Sequence, residues 1–278
     1  MWLLGKEIVL IESISNAQVK RIQKLKRSAR YRRQEKCFIV EGFKMVDEAL
    51  RYEKVQKIYV SEEVGDEYEE KLSHKITKDL IEWVSSAVFR EISDTATPQG
   101  VLALAEMPEY DQEELEKKEE AAFICLEDIQ DPGNLGTIMR TAEGAGMTAV
   151  VMSKGCVDLF NPKVVRSTMG ALFRLPFYVI EDMTTEVERL QKKGFTMYAA
   201  SLDAKRDYTG YHYAGKTGIL IGNEANGLKP ETSALADERL IIPMEGEVES
   251  LNAAVSAALL MYEVHRNRVC KNAQDIVK

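Results

Sequence analysis

Asp131-Pro-Gly-Asn-Leu-Gly-Thr-Ile-Met-Arg-Thr-Ala142 decides how this chain is read. The apolar run Ala122–Leu126 before it has the length and make-up of a buried strand, and the spacing from Leu135 to Ala145 predicts a helix. Between them Gly133 and Gly136 flank Asn134, and the helix carries Arg140 one turn in. A glycine-rich turn at a strand end lets a ligand come close to the backbone, and a cation with amides suits an anionic or polyhydroxyl ligand. Two further stretches have the same character. Ile221-Gly-Asn-Glu-Ala-Asn-Gly-Leu228 follows the apolar strand Gly218–Ile221, and Ile242-Pro-Met-Glu-Gly-Glu-Val-Glu-Ser-Leu-Asn252 follows the strand Leu240–Ile242. Gly222 leaves the strand end open, Glu224 sets a carboxylate at the mouth, and Asn252 lies in the first turn of a helix, where free N–H groups favour an anion. Read singly, each turn has a plain explanation. The first is a glycine turn with a surface arginine, Asn226-Gly227 is an ordinary turn signal, and Ser250 is the N-cap of a helix starting at Leu251. Three in order, each at a strand end, point to one composite pocket at one edge of a sheet.

Around these turns the C-terminal half alternates regularly. Strands are expected at Ala122–Leu126, Thr148–Met152, Leu175–Val179, Phe195–Ala200, Gly218–Ile221 and Leu240–Ile242. Helices are expected at Leu135–Ala145, Pro162–Leu172, Glu186–Lys193 and from Leu251 to about His265. Such alternation predicts a largely parallel sheet covered on both faces. The N-terminal half is a second α/β region, with a helix over residues 16–34, strands at Cys37–Val40, Lys57–Val60 and Gly100–Ala105, and a helix from Phe43 to Leu50. Residues 106–120 hold eight acids and few apolar side chains, which makes 107–120 the linker between domains 1–106 and 121–278.

With 278 residues, 45% hydrophobic and 29% charged, the chain has the composition of a soluble globular protein. No apolar run reaches the ~18 residues that span a bilayer, and Met1-Trp-Leu-Leu-Gly-Lys-Glu7 lacks the features of a signal peptide. Cys37, Cys125, Cys156 and Cys270 are scattered without metal-ligand spacing. A reduced, cytoplasmic protein with no membrane contact and no metal is the expectation. The net charge of −8 hides a segment of nine basic residues and one acid between Asn16 and Lys36. Lys20, Arg21, Lys24, Arg27, Arg30, Arg32 and Arg33 within it are the candidates for contact with a polyanion; a solvated helix face is the plainer reading. The first loop is not a phosphate-binding Gly-Lys-Ser/Thr loop, nor a Gly-x-Gly-x-x-Gly dinucleotide fingerprint.

Asn134-x-Gly136-x-x-x-Arg140-Thr-Ala, Gly222-x-Glu224-x-x-Gly227 and Ile242-Pro-Met-x-Gly246-x-x-x-Ser250-Leu-Asn252 resemble, in order, the three motifs of the SpoU (TrmH-like) RNA ribose 2′-O-methyltransferases. The resemblance covers about residues 121–267. Phe38-Ile-Val-Glu-Gly42, Met45-Val-x-Glu-Ala-Leu50 and Thr97-Pro-Gln-Gly-Val101 are similar to the substrate-binding domain of the family's two-domain bacterial rRNA enzymes. The resemblance implies a SPOUT-type α/β sheet with a deep trefoil knot, an N-terminal ribosomal-protein L30e-like RNA-binding domain, S-adenosylmethionine as cofactor, and a homodimer whose active site uses both subunits. It implies that Gly222, Ile242 and Leu251, with Ile221, Ser201 and Leu202, line the cofactor pocket. It assigns Arg140 to the ribose hydroxyl, with Asn134, Glu224, Ser250 and Asn252 around it, and marks Arg166 and Ser167 as typical of the family.

The chemistry implied is an in-line displacement on a weak nucleophile that must lose a proton, so positioning carries much of the rate. A guanidinium, with a pKa above ~12, is a poor base. Arg140 is therefore expected to clamp a phosphate and orient the hydroxyl, leaving a perturbed Arg140, Glu224 or water to take the proton. RNA is the expected partner because DNA lacks the nucleophile. Ribosomal RNA, 23S in particular, is expected ahead of tRNA. A non-catalytic RNA-binding factor on the same fold and a nucleotide-dependent oxidoreductase are the competing classes.

Overall fold

A computed structural model describes residues 9–52 and 54–276; the opening stretch Met1–Glu7, read above as no signal peptide, lies outside them. The protein is an α/β protein of two compact units, one of residues up to 109 together with 158–173, the other of residues 110–157 and 174 onward.

In the first unit the order is β1 (Leu10–Ile11), α1 (Ala17–Arg27), α2 (Ala29–Glu35), β2 (Cys37–Glu41), α3 (Phe43–Arg51), β3 (Val55–Ser61), α4 (Gly65–Lys71), β4 (Ile81–Val84), α5 (Ser86–Ile92) and β5 (Val101–Glu106). The sheet runs β1-β4-β3-β5-β2 and is mixed, because β5 is antiparallel to both neighbours. Val19, Ile22 and Leu25 of α1 bury against Ile39, Tyr59, Leu102 and Leu104 of the sheet and Phe89 and Ile92 of α5. The single helix expected over 16–34 is two. Ser28 breaks it in extended conformation (φ −123°, ψ 109°), and its hydroxyl accepts from the Tyr31 N–H at 3.2 Å to start α2.

The second unit begins inside the acidic stretch. Asp111 caps α6 (Gln112–Glu116), whose Leu115 and Glu116 are buried, with Glu116 ion-paired to Arg189 at 2.6 Å. Then follow β6 (Ala122–Leu126), α7 (Pro132–Gly144) and β7 (Ala149–Ser153). After Val157 the chain passes into the first unit as α8 (Pro162–Ser167) and α9 (Ala171–Arg174). The one helix expected over Pro162–Leu172 is interrupted by Met169 and Gly170, both at positive φ (51° and 91°). Apolar packing explains why this segment joins the first core: the rings of Phe160 and Phe173 pack at a tilt against Phe38, with 4.8 and 6.0 Å between ring centroids. The chain returns through β8 (Phe177–Ile180), α10 (Met183–Lys192), β9 (Thr196–Ala200), β10 (Arg206–Asp207), β11 (Thr217–Ile221), α11 (Pro230–Leu235), β12 (Glu238–Ile241) and α12 (Ala253–Ile276).

The seven strands lie in the order β10-β12-β9-β11-β6-β7-β8, every pairing parallel. From β6 the chain builds outward through β7 to β8, then crosses back to β9, so β6 and β11 meet where the direction of winding reverses. In open α/β sheets ligands bind beyond the carboxyl ends of the strands at this switch. The turns after β6, β9, β11 and β12 all leave at that edge. Among the described residues no helix is long and apolar enough to cross a membrane.

Candidate functional site

Glu224 ties the site together. Its turn is closed by reciprocal backbone hydrogen bonds, Asn223 N–H to Gly227 at 3.0 Å and Gly227 N–H to Asn223 at 2.9 Å, with Gly227 at φ 68°. Glu224 Oε1 accepts from the Asp131 N–H and from Asn134 Nδ2, both at 3.0 Å, and Oε2 accepts from the Gln130 N–H at 3.1 Å. The carboxylate thus caps the turn that opens α7, where free N–H groups favour negative charge. Asp131 is that helix's N-cap, accepting from the Asn134 N–H at 2.8 Å. Asn134 Oδ1 in turn accepts from Asn252 Nδ2 at 2.9 Å, so the first, second and third turns meet in one chain of hydrogen bonds.

Asn252, and not Ser250, caps α12. Its Oδ1 accepts from the Ala254 N–H at 2.9 Å and the Val255 N–H at 3.3 Å, so α12 starts two residues later than expected. The helix α7 starts three residues earlier, at Pro132, a residue pre-set for a first turn. Arg140 is therefore two turns in rather than one. It lies six residues past Asn134, about 9 Å along the axis. It is exposed and makes no hydrogen bond or ion pair among the described residues, so it stands apart from the Glu224–Asn134–Asn252 chain.

Beside this chain lies a cleft of ≈ 420 Å³, lined by residues 200–203, 221–228, 240, 242, 244 and 250–251 among others. Its walls include Ser201, Leu202, Ile221, Gly222, Glu224, Ile242, Ser250 and Leu251, all singled out from the sequence; Met244, Asp203 and Leu240 were missed. Asp203 follows no glycine or amide signal, and nothing in the sequence shows that its carboxylate accepts from Ser201 Oγ and pairs with Arg239 at 3.1 Å. Gly222 has no room for a side chain: a Cβ there would lie 2.0 Å from the backbone of Gly227 and of Leu228. The cleft is of a size usual for cofactor sites, and apolar walls with a few polar groups at the rim are the usual make-up. It fits an adenosine carrying an amino-acid tail: Ile221, Ile242 and Leu251 offer apolar cover, and the side chains of Ser201, Asp203 and Ser250 stand among the walls.

Burial alone would raise the Glu224 pKa; the Asn134 amide and the N–H groups of Gln130 and Asp131 outweigh it and hold the carboxyl below the usual range. A carboxylate so lowered and so fully bonded is a strut, not a base. A lowered folded-state pKa makes its contribution complete above the ordinary value near ~4.3, and lost as pH falls through the lower folded value. Ligand affinity in the cleft is therefore expected to be flat from neutral pH down to about pH 5 as far as Glu224 is concerned. Glu224→Gln sets an amide against three donors and is expected to weaken ligand affinity and turnover together, by about tenfold. Isothermal calorimetry across pH on both proteins checks this.

In the first unit the basic stripe divides. Lys20, Lys24 and Arg27 share an exposed face of α1, and Arg30 and Arg33 are exposed on α2. Arg21 is paired to Glu35 at 3.1 Å. Arg32 differs from the expectation: it is 3% exposed, with its guanidinium donating to Asp158 and to the Leu25 carbonyl at 2.5 Å. Burial without a partner would cost a charge dearly, and Asp158 supplies the partner. Arg32 thus locks the 158–173 segment to α2 and offers no phosphate a free donor. Arg166 also serves the first unit, paired to Asp94 at 2.8 Å, while Ser167 Oγ donates to the Lys163 carbonyl. Among the described residues no group of His, Cys, Asp or Glu is placed to hold a metal ion.

The SpoU rRNA Methylase family matches residues 121–262, and the MRM3-like substrate binding domain matches residues 16–103. The chain is 34% identical to the 23S rRNA (guanosine(2553)-2′-O)-methyltransferase RlmP of Bacillus subtilis (strain 168), over 91% of this chain and 98% of that protein. A crystal structure of an RNA 2′-O ribose methyltransferase superposes with TM-score 0.81 at 30% identity, covering 94% of this chain and all (100%) of the other. An AdoMet-bound rRNA methyltransferase from Sinorhizobium meliloti gives TM-score 0.81 at 27% identity, over 94% and 98% of the two chains. With its three strand-end turns joined through Glu224 beside one cleft, the chain belongs to the SpoU rRNA methylase family.

Proposed function

We infer that this protein is an S-adenosylmethionine-dependent enzyme that methylates a ribose 2′-hydroxyl in RNA, with 23S rRNA as its substrate. The observation that carries the reading is the hydrogen-bond chain Glu224–Asn134–Asn252, which welds all three turns at the cleft's rim. The B. subtilis relative's name places its own reaction on a guanosine 2′-oxygen of 23S rRNA, which favours rRNA over tRNA. When bound, S-adenosylmethionine supplies an electrophilic methyl group on a sulfonium. The chain's own part is to hold and orient. Gly222, Ile242 and Leu251 bring backbone and apolar cover to the cleft, with Ile221, Ser201 and Leu202 beside them. Asn134 and Asn252 fix the rim, and Ser250 adds a hydroxyl there. Arg140 clamps the target phosphate and turns the 2′-hydroxyl toward the cleft. The proton leaves to water, because Glu224 is already committed to three donors and a guanidinium holds its own proton.

The finer assignments follow from the same family. Residues 121–278 form the methyltransferase domain, with a deep trefoil knot behind the cleft. Residues 1–106 form an L30e-like RNA-binding domain, and 107–120 connect the two, with α6 folded into the second unit. The enzyme works as a homodimer in the cytoplasm, where the ribosomal RNA is. Support for the dimer is an apolar stripe on α12, where Val255, Leu259 and Tyr262 are 48%, 37% and 51% exposed. Gly144, one turn past Arg140 on α7, lies beside the Tyr262 hydroxyl; a Cβ there would be 3.5 Å from it. Arg140 thus borders the stripe and is suited to serve the partner's cleft.

The exposed basic residues Lys20, Lys24, Arg27, Arg30 and Arg33 contact phosphates without reading sequence. Neutralising Lys24, Arg27 and Arg30 together is expected to weaken RNA binding and lower the slope of log K against log salt by about 2 to 3, read by filter binding across salt. The function itself is tested with tritiated S-adenosylmethionine and 23S rRNA or tRNA from cells lacking the gene, followed by nucleoside analysis. A 2′-O-methylnucleoside in 23S rRNA supports the reading; label only in tRNA, on a base, or nowhere contradicts it.

A further inference from the structure

A second cavity, ≈ 410 Å³, adjoins the cofactor cleft at Asn223, Asn226 and Gly227, and the side chains of its Asp128 and Lys229 have no part in the chemistry above. Among its lining residues is Asp128, held in the left-handed region (φ 56°). Four hydrogen bonds fix it there. The Asp128 N–H donates to Ser153 Oγ at 2.8 Å, and Ser153 Oγ donates back to Oδ1 at 2.7 Å. The Asp128 carbonyl accepts from Asn223 Nδ2 at 2.8 Å and from Gln130 Nε2 at 3.3 Å. Gly155 packs directly against it, since a Cβ at 155 would lie 1.9 Å from Oδ1. Lys229 stands at the rim, half exposed, with Nζ 3.0 Å from Asp128 Oδ2. Its backbone is anchored by the buried Glu127, which accepts from the Lys229 N–H at 2.8 Å and the Thr232 hydroxyl at 2.7 Å. The Ser153 hydrogen bond and the Lys229 ammonium keep the Asp128 carboxyl below its usual range, and Asp128 keeps the ammonium charged.

We propose that this cavity receives the base of the target nucleotide, and that Asp128 and Lys229 select guanine. The inference rests on the RNA methyltransferase reading and deepens it. The two cavities share Asn223, Asn226 and Gly227 as a common wall, so a nucleotide whose ribose lies at the Glu224 rim has its base within reach of the second. Enzymes acting on a nucleotide turn it out of the stack and read it by hydrogen bonds to its pairing edge. A carboxylate beside an ammonium complements a donor next to an acceptor, which every base edge has, and is matched most fully by guanine. Guanine presents two neighbouring donors, N1–H and the 2-amino group, next to the O6 acceptor. The carboxylate takes the donors and the ammonium gives to O6. Uracil, cytosine and adenine each lack that pair of adjacent donors. Gln130 Nε2 is spent on backbone carbonyls, leaving its Oε1 as a further acceptor.

Nucleoside analysis of rRNA methylated by the wild-type enzyme is expected to give 2′-O-methylguanosine; any other 2′-O-methylnucleoside overturns the proposal and leaves the methyltransferase reading intact. Absence of any methylated product defeats that reading, and this one with it. The residues are tested with single-site ligated RNA carrying guanosine or inosine, which lacks the 2-amino group, at the modified position. Wild-type kcat/KM and RNA affinity measured without cofactor are both read. Wild type is expected to prefer guanosine by about 10- to 100-fold in kcat/KM, and Asp128→Asn to bring that ratio close to one. A merely structural Asp128 would depress both substrates alike and preserve the ratio. An unchanged ratio in Asp128→Asn, or no wild-type preference, contradicts the assignment whether or not the variant is less stable.

Discussion

Gly222→Ala is expected to abolish S-adenosylmethionine binding, with Kd raised more than about 100-fold. The added Cβ would meet backbone atoms of Gly227 and Leu228 at 2.0 Å, and backbone cannot step aside as a flexible side-chain end does. The 222–228 turn has to open, which breaks the Asn223–Gly227 pair and moves Glu224 off Gln130, Asp131 and Asn134. Overpacking of this kind costs on the order of 1–3 kcal/mol in stability. The loss of binding is expected to be larger because the proposed cofactor site depends on the turn's shape rather than on its stability. Calorimetry at a temperature well below the variant's Tm separates the two. A variant that binds within threefold of wild type means that the strand end at 222 is not part of the cofactor's cradle.

Arg140→Ala is expected to lower turnover by about 10²- to 10³-fold while leaving S-adenosylmethionine affinity unchanged, the size seen when one donor to the reacting group is removed. Arg140 lies outside the Glu224–Asn134–Asn252 chain and outside the cleft wall, so removing it disturbs neither. Arg140→Lys keeps the charge without the planar fork and recovers only part of the rate. If the active site is shared across the proposed homodimer, an Arg140→Ala chain mixed with an Asn134→Ala chain is expected to regain turnover, since one of the two sites then has both residues. Steady-state kinetics on the single variants and on the mixture check this. No recovery on mixing confines Arg140 to its own chain's site.

The sequence shows the three turns because each follows an apolar strand and they recur in order; any one of them alone reads as an ordinary turn or cap. It shows the parallel sheet for a similar reason: Ala122–Leu126, Ala149–Ser153 and Thr217–Ile221 are buried along their whole length, so they read as unbroken apolar runs. What it hides is which core a buried segment joins. Val164, Val165 and Phe173 would look the same in either unit, and only the contact with Phe38 and the Arg32–Asp158 pair reveal the first. Arg32 is indistinguishable from its neighbours in a run of cations until its burial is seen. Ser250 is as good a cap as Asn252 by residue type, and the choice falls to Asn252 because its amide also reaches Asn134. The Asp128–Gly155–Lys229 cavity draws on residues far apart in the chain with no motif between them. Strands as short as Leu10–Ile11 and Arg206–Asp207 carry too few residues for any period to be visible.

The methyl donor is proposed to bind in the cleft between the turns after β9, β11 and β12. A crystal structure of the protein soaked with S-adenosylhomocysteine measures this directly. Electron density for the adenosine between Gly222, Ile242 and Leu251, with its tail directed to the Glu224 rim, is the predicted result. A ligand ordered at any other place on the chain, with this cleft left to solvent, would contradict it.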